Sequence, residues 1–223
     1  MTSPLRLGSW WVRDYVYALV WQARALLNRT DPRSFLDGDR APIVILPGVY
    51  ETWKFMQPLI AAVHGRGHPV HVLPVLRHNR LPVEDAADRV CEYLEEHDLR
   101  GCVLLAHSKG GLVGKRAMAL DPGRERIDSM LAVATPFGGS SYGRLMVVPS
   151  LRVFSPRSRT ILTLARETAI NACIVSIYPC FDPHIPEGSE LAGAKKNVSL
   201  DTGGHFRVLA DPRVIAELTA LAE

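Results

Sequence analysis

Ser108 is the strongest candidate nucleophile, because it lies where a buried strand runs into a helix. The stretch CVLLAHSKGGLVGKRAMAL, residues 102–120, carries an apolar run, then His-Ser-Lys-Gly-Gly, then helix-forming residues. The small neighbours Ala106 and Gly110 suit a strained turn that lifts a serine hydroxyl above a sheet edge, the nucleophile elbow. An ordinary helix-capping serine is the simpler alternative, but strand, turn and helix together favour the nucleophile.

A serine hydroxyl needs a base to take its proton and an acid to orient that base. After a nucleophile elbow, the acid and then a histidine follow on loops behind later strands. His205, in the Gly-rich loop of NVSLDTGGHFRVLADPRV, is the predicted base, and Asp182, behind CIVSIYPCF, is the predicted acid. Asp201 is a second candidate for the acid, with bracing of the His205 loop as its alternative role.

The remaining histidines fit other roles. His107 is adjacent to the nucleophile and is expected to point away beneath the elbow, whereas His184 lies too close to the predicted acid to come from a separate loop. Glycines and a proline interrupt the set His64, His68 and His71, so that no shared helical face exists and no metal site is predicted there.

Attack on a carbonyl creates an oxyanion, which N–H donors must stabilise. One predicted donor is the backbone amide of Lys109, directly after the nucleophile. The other is the amide of Val49, because Gly48 allows a tight turn in the loop ILPGVYETW. A plain strand-to-helix turn is the alternative for this loop. The Lys109 side chain puts a cation beside the nucleophile, and it either attracts anionic groups of a substrate or reaches solvent.

Short apolar runs alternate with amphipathic helical patterns along most of the chain, which predicts a doubly wound α/β sheet. In such a sheet the carboxyl ends of the strands meet at one edge, where ligands bind. The last helix is expected to begin at Asp211-Pro212. The predicted strands are residues 43–46, 70–73, 102–106, 130–134, 173–178 and 197–200.

Residues 1–42 are a separate N-terminal segment, made of an aromatic-rich helix and a polar connector. Arg13 and Asp14 interrupt the helix LGSWWVRDYVYALVWQARALLNR, and its uncharged run is too short to span a bilayer. Two placements stay open for it. The helix packs on the domain, or it makes peripheral contact with a membrane, since aromatic residues with flanking arginines suit both.

Composition and charge narrow the classes of function. A length of 223 residues with 47% hydrophobic residues suits one domain with a sizeable core. The formal charge of +3 comes from scattered arginines, so a nucleic-acid partner is not predicted. The cysteines lack CxxC and zinc spacing, which favours buried thiols in a reduced, cytoplasmic protein, or a Cys173–Cys180 disulfide if the protein is exported.

These motifs resemble the α/β-hydrolase superfamily, and in particular its bacterial esterases and lipases. The elbow AHSKGG, the loop LPGV, the segment ATPFGGS, Asp182 and the GGH of His205 follow one another in the family order. The resemblance implies an α/β-hydrolase domain over residues 43–223, with a mainly parallel sheet of about six strands flanked by helices. It also implies a short cap over the site at about residues 140–172, and a segment that simply packs on the sheet is the alternative.

Three residues depart from the family pattern. Pro47 precedes Gly48 where relatives usually carry a histidine, so this loop must be braced differently. Phe137 stands where related lipases often have a histidine, and Lys109 is bulkier than the usual residue after the nucleophile.

The function that follows from the resemblance is a serine esterase that works through an acyl-enzyme without cofactor or metal. Its substrate is expected to be a small-molecule or lipid ester, bound by Tyr50, Phe137, Leu145 and Met146. An acyltransferase, thioesterase or amidase on the same fold is the alternative. A non-catalytic, membrane-associated binding protein is the alternative of another class, and no oligomeric state is predicted.

Overall fold

In the computed structural model, which describes residues 3–121 and 123–223, six parallel strands form one sheet in the order β2-β1-β3-β4-β5-β6. The first two residues of the predicted N-terminal segment lie outside the described residues. The predicted parallel sheet of about six strands is therefore confirmed. The strands are β1 (Ile43–Leu46), β2 (Val70–Val72), β3 (Cys102–His107), β4 (Ile127–Val133), β5 (Ile174–Phe181) and β6 (Lys196–Gly203).

Helices flank the sheet on both faces, as expected for parallel strands buried on both sides. The last helix begins at the predicted position, where the Asp211 side chain accepts a hydrogen bond from the amide of Arg213 at 3.0 Å. The α-helices are α1 (Pro4–Leu27), α2 (Gln57–His64), α3 (Val83–Glu96), α4 (Lys109–Leu120), α5 (Pro149–Arg152), α6 (Arg159–Arg166) and α7 (Pro212–Ala222).

The strand positions match the predictions to within three residues: β5 and β6 each end three residues later than predicted, and β4 differs at its start. This strand begins at Ile127, three residues before its predicted start at 130. The polar residues Asp128 and Ser129 interrupt the apolar run, so the apolar pattern alone does not predict the first three residues of this strand. The register aligns Leu46 of β1 with Ala106 of β3, so the loops after these strands lie side by side at the carboxyl edge.

The predicted cap region, residues 140–172, divides into two parts. Residues 140–154 lie over the carboxyl edge and include the short helix α5. Helix α6 instead packs on the body of the domain, since Ile161 and Leu164 join the core beneath α3 and α4. Thr160 adds a hydrogen bond from its hydroxyl to Glu84 of α3 at 2.8 Å. Only the first part covers the candidate site. The second part matches the alternative prediction, a segment that simply packs on the domain.

Helix α1 packs on the domain through one stripe of side chains. Trp10, Asp14 and Ala25 are buried, and Tyr17 and Trp21 pack against the core on the side of α2 and α7. The spacing of three or four residues keeps this stripe on one face of the helix. Among the described residues, no helix is both long and apolar enough to cross a membrane.

The carboxylate of Asp14 attaches α1 to the turn behind β6. It accepts backbone N–H groups from His205 at 2.9 Å and from Phe206 and Arg207 at 2.8 Å each, and it is completely buried. A carboxylate at the start of a helical turn is favoured there by the exposed N–H groups of the backbone.

The two glycines before His205 let α1 approach this closely. A Cβ atom on Gly203 would lie 2.5 Å from the ring of Trp10, and one on Gly204 would lie 2.5 Å from Oδ1 of Asp14. Gly204 also has a φ of 119°, which disfavours residues with a side chain. The Gly-Gly pair of the GGH motif is thus required by the helix that lies outside the sheet.

We expect Asp14→Ala to lower the free energy of unfolding by about 3 kcal/mol, because it leaves buried N–H donors without an acceptor. Asp201→Ala is the matched control, since the Asp201 side chain is 82% exposed and its ion pair with Arg6 lies on the surface. Its effect should stay within about 0.5 kcal/mol. Urea unfolding of both variants measures the difference, and equal small effects would contradict the anchoring role of Asp14.

Candidate active site

Ser108, His205 and Asp182 form a continuous hydrogen-bonded line at the carboxyl edge of the sheet. Nδ1 of His205 donates to Oδ2 of Asp182 at 2.8 Å, since a carboxylate oxygen can only accept this bond. The neutral imidazole then has its acceptor at Nε2, to which the hydroxyl of Ser108 donates at 2.9 Å. The three residues that the sequence predicts to act together are thus brought together by three different loops.

The loop geometry around Ser108 is that of a strained elbow. Its φ of 51° and ψ of −117° lie in a region that residues with a side chain rarely adopt. A Cβ on Gly110 would lie 2.0 Å from the carbonyl oxygen of Leu46, and one on Gly111 would lie 2.0 Å from Oγ1 of Thr135. The small residues after the nucleophile therefore allow α4 to begin directly against β1 and the loop after β4.

Asp182 is held ionised by its surroundings. Burial alone would raise the pKa of this carboxyl, but the nearby His205 and the backbone hydrogen bond from His184 outweigh it and lower the pKa below its usual value. Oδ1 accepts the backbone amides of His184 at 2.7 Å and Ile185 at 3.1 Å, which leaves Oδ2 for the imidazole.

His205 has a stronger affinity for a proton than an ordinary histidine. Burial alone would lower the pKa of its imidazole, but the charge and the hydrogen bond of Asp182 raise it above its usual value. Such an imidazole is suited to take a proton from the hydroxyl that faces it.

The two amides predicted to stabilise an oxyanion are both available. The N–H groups of Val49 and Lys109 have no acceptor in residues 3–121 and 123–223. Lys109 is the first residue of α4, so the positive end of that helix also faces the site. Val49 and Ser108 line the same cavity.

Glu51 braces the loop that carries Val49. This loop lacks the histidine that the family pattern usually places before Gly48. The buried carboxylate of Glu51 accepts the amide of Gly48 at 2.8 Å and lies 2.9 Å from Nδ1 of His107. The other ring nitrogen of His107 donates to the carbonyl oxygen of His205 at 3.0 Å. His107 points beneath the elbow, as expected, and it links this loop to the loop of the base.

A second brace involves the side chain of Lys109, which neither reaches solvent nor faces the cavity. Its ammonium group donates to the carbonyl oxygens of Asn79, at 2.9 Å, and of Leu81. The Asn79 side chain in turn donates to the carbonyl oxygen of Pro47 at 2.7 Å. Burial lowers the pKa of Lys109 to about 8, and the charge of Glu84 opposes this only in part. Both alternatives predicted for this side chain differ from its observed structural role.

His184, which the sequence analysis set aside, stacks on the candidate base. The two imidazole rings are 4.6 Å apart and inclined by 13°. Tyr15 of α1 holds His184 through a hydrogen bond of 3.0 Å between its hydroxyl and Nε2. Burial and the nearby His205 lower the pKa of His184 to about 4, so this ring is neutral near pH 7.

A cavity of about 440 Å³ opens beside Ser108 and His205. Helix α1 contributes Tyr15 and Gln22 to its wall, and residues 140–154 contribute mostly apolar side chains. A larger cavity, of about 590 Å³, lies between the connector after α1 and α3 and contains none of the three aligned residues. The apolar side chains around the smaller cavity include Met146, Leu151, Phe154, Ile185 and Phe206.

The predicted pocket residues divide into two pairs. Tyr50 and Met146 line the cavity. Phe137 is instead buried against the ammonium group of Lys115 on α4, and Leu145 is 78% exposed to solvent, so neither contacts the cavity. The two residues lie on turns whose side-chain directions depend on tertiary packing, which an apolar pattern does not reveal.

The other candidates lie outside this group. Asp201 pairs with Arg6 at 3.1 Å on the surface and does not contact His205. In the described part of the chain, no three His, Cys, Asp or Glu side chains are grouped as metal ligands. Asp14, Glu51 and His184 are neighbours of the site that the sequence does not predict, because each is tied to it by a contact with a residue that is distant in sequence: His205, His107 and Tyr15 respectively.

Comparisons with known proteins agree with this architecture. Neither a protein-family model nor a curated protein matches the sequence. Solved structures do match: the mature lipase BlEst2 of Bacillus licheniformis superimposes with a TM-score of 0.63 at 13% identity, over 82% of this chain and 93% of that chain.

Two further structures show the same likeness. A carboxylesterase structure from Nitrososphaera gargenis has a TM-score of 0.57 at 14% identity, over 82% of this chain and 90% of that chain. An extracellular α/β-hydrolase from a Paenibacillus species has a TM-score of 0.55 at 17% identity, over 82% and 98%. With the sheet order and the flanking helices, these likenesses identify the architecture of the chain as the α/β-hydrolase fold.

Proposed function

We propose that the protein is a serine hydrolase that cleaves carboxylic esters through an acyl-enzyme intermediate. The observation that carries this proposal is the line from the Ser108 hydroxyl through His205 to Asp182, which opens onto a cavity with apolar walls. Solved structures of the same fold that are named a lipase and a carboxylesterase lend support.

Acylation begins when Oγ of Ser108 attacks the ester carbonyl carbon and its proton passes to Nε2 of His205. The carbonyl oxygen becomes an oxyanion, and the amides of Val49 and Lys109 donate hydrogen bonds to it. The carbon–oxygen bond to the alcohol then breaks. His205 returns the proton to the departing alcohol oxygen, and the acyl group stays on Ser108.

Deacylation repeats these steps with water. His205 takes a proton from a water molecule, whose oxygen attacks the acyl carbon, and the bond to Oγ breaks. The proton then returns to Ser108, and the carboxylic acid leaves. Asp182 stays ionised throughout, orients the ring of His205 and stabilises the imidazolium ion that forms in each half of the cycle.

His184 is proposed to position His205 rather than to exchange protons. Its low pKa keeps it neutral, so it adds no charge beside the imidazolium ion. The stacked ring and its hydrogen bond to Tyr15 restrict how far the imidazole of His205 can tilt. This arrangement supports a fixed orientation of the His205 imidazole, with one nitrogen toward Ser108 and the other toward Asp182.

The cavity favours an ester with an apolar acyl or alkyl group of modest size. Its volume of about 440 Å³ is in the range of small-molecule sites, and its wall offers few charged groups. Met146, Leu151 and Phe154 of the cap supply apolar surface that such a group would bury.

We expect Ser108→Ala to reduce turnover of p-nitrophenyl butyrate by about 10⁴-fold or more, because no other group replaces the hydroxyl. Release of p-nitrophenolate measures the rate. Ser199→Ala is the matched control, since Ser199 is an exposed serine on β6, and it should leave the rate unchanged. Equal rates for wild type and Ser108→Ala would refute the nucleophile. If wild type hydrolyses no p-nitrophenyl ester, whatever the length of its acyl chain, the non-catalytic alternative would be favoured.

The pH dependence of kcat/KM should report the ionisation of His205. The imidazole must be neutral to accept a proton, so activity falls as the pH drops through its pKa. Because this pKa is raised, the midpoint should lie above the ordinary value of 6.5. Asp182→Asn removes the charge that raises the pKa, and the midpoint should move to lower pH while kcat falls about 10⁴-fold.

Asp201→Asn is the control for this measurement, because Asp201 lies on the surface away from the imidazole. Its pH profile should coincide with that of wild type. If Asp201→Asn loses activity and Asp182→Asn keeps it, the acid has been assigned to the wrong residue.

A further inference from the structure

Helix α1 presents a row of apolar side chains to solvent, opposite the stripe that packs on the domain. Leu5, Val12, Val16, Leu19 and Leu26 are all exposed, Val12 at 62% and Leu19 at 71%. Their spacing of three, four or seven residues places them on one face of the helix. A helix on the surface of a water-soluble domain ordinarily turns polar residues outward, so this face is unusual.

The charges of α1 have one sign at the surface. The helix contains three arginines and one acid, and that acid is the buried Asp14. The arginines, Arg6, Arg13 and Arg24, are separated by 7 and 11 residues, which places them along one flank of the apolar row. Arg6 is paired with Asp201 at 3.1 Å, so the net positive charge of this flank comes from Arg13 and Arg24. A positive flank beside an apolar face matches the headgroups and the acyl chains of an anionic bilayer.

The adjoining part of the cap has the same character. Leu145 and Val147 are 78% and 89% exposed, and Met146 beside them lines the cavity. Residues 140–166 contain arginines but no aspartate or glutamate. The exposed faces of α1 and of residues 144–148, which we call the α1–cap face, therefore share both apolar exposure and positive charge.

We propose that the α1–cap face docks on the surface of an anionic lipid bilayer, with the mouth of the 440 Å³ cavity beside the contact. The cavity wall includes Tyr15 and Gln22 of α1 and Tyr142 and Met146 of the cap, so both docking elements border the cavity. Resting on the proposed function, this placement would let a lipid ester pass from the bilayer to Ser108 with little exposure of its acyl chain to water.

Cosedimentation with vesicles tests the docking without any need for turnover. The full chain should bind vesicles of phosphatidylcholine and phosphatidylglycerol, and it should bind vesicles of phosphatidylcholine alone more weakly. The double variant Val12→Glu/Leu19→Glu should bind at least about tenfold more weakly, since it removes two inserted side chains and adds repulsion. Arg13→Gln should weaken binding about fivefold, the effect of one arginine near an anionic surface.

Leu120→Glu is the matched control, because Leu120 is also an exposed leucine in a helix but lies at the far end of α4. It should bind vesicles like wild type. Turnover of soluble p-nitrophenyl butyrate should be the same in the Val12→Glu/Leu19→Glu variant and wild type, which shows that the site is intact. Ser108→Ala should still bind vesicles, so that loss of docking and loss of hydrolysis are distinguished.

Two results would overturn the proposal. In the first, wild type does not sediment with the anionic vesicles, or the double glutamate variant sediments equally well. In the second, sedimentation velocity without lipid shows a dimer that the same variant converts to a monomer, which would mean that a second copy of the chain covers the α1–cap face.

Discussion

The carboxylate of Asp14 is the contact on which the geometry of the candidate site depends. It gathers three consecutive backbone N–H groups of the turn that carries His205, and it does so from a helix that is not part of the sheet. The imidazole of that turn must reach Ser108 on one side and Asp182 on the other, within 2.9 and 2.8 Å. The glycines at 203 and 204 are the complementary part of this contact, because larger residues would push α1 away.

The loop that carries Val49 is also held by buried hydrogen bonds. Glu51 and Asn79 hold this loop from two sides, and Lys109 holds the backbone of Asn79 in turn. A lysine beside a serine nucleophile suggests a role in catalysis. The ammonium group of Lys109 instead donates hydrogen bonds to two backbone carbonyl oxygens. His107 joins the two braces to the carbonyl of His205, so the proposed oxyanion donors and the proposed base belong to one buried network.

The sequence predicts the features of this molecule that local patterns encode. The strand, the elbow and the start of α4 around Ser108 follow from apolar runs and small residues, and the last helix follows from Asp211-Pro212. Contacts between distant segments are not encoded in this way. Asp14 reads as an interruption of an apolar helix until its partners, 191 to 193 residues later, are known. Phe137 and Leu145 read as pocket residues because apolar patterns do not indicate side-chain direction.

The central claim is that this network activates Ser108 as a nucleophile, and covalent trapping tests it most directly. A fluorophosphonate forms a bond from its phosphorus to an activated serine oxygen and loses fluoride, while the base takes the proton. Intact-mass and peptide mass spectrometry of the full chain should show one adduct, located on Ser108. An unmodified chain, or an adduct on a different residue while Ser108 stays free, would contradict the account.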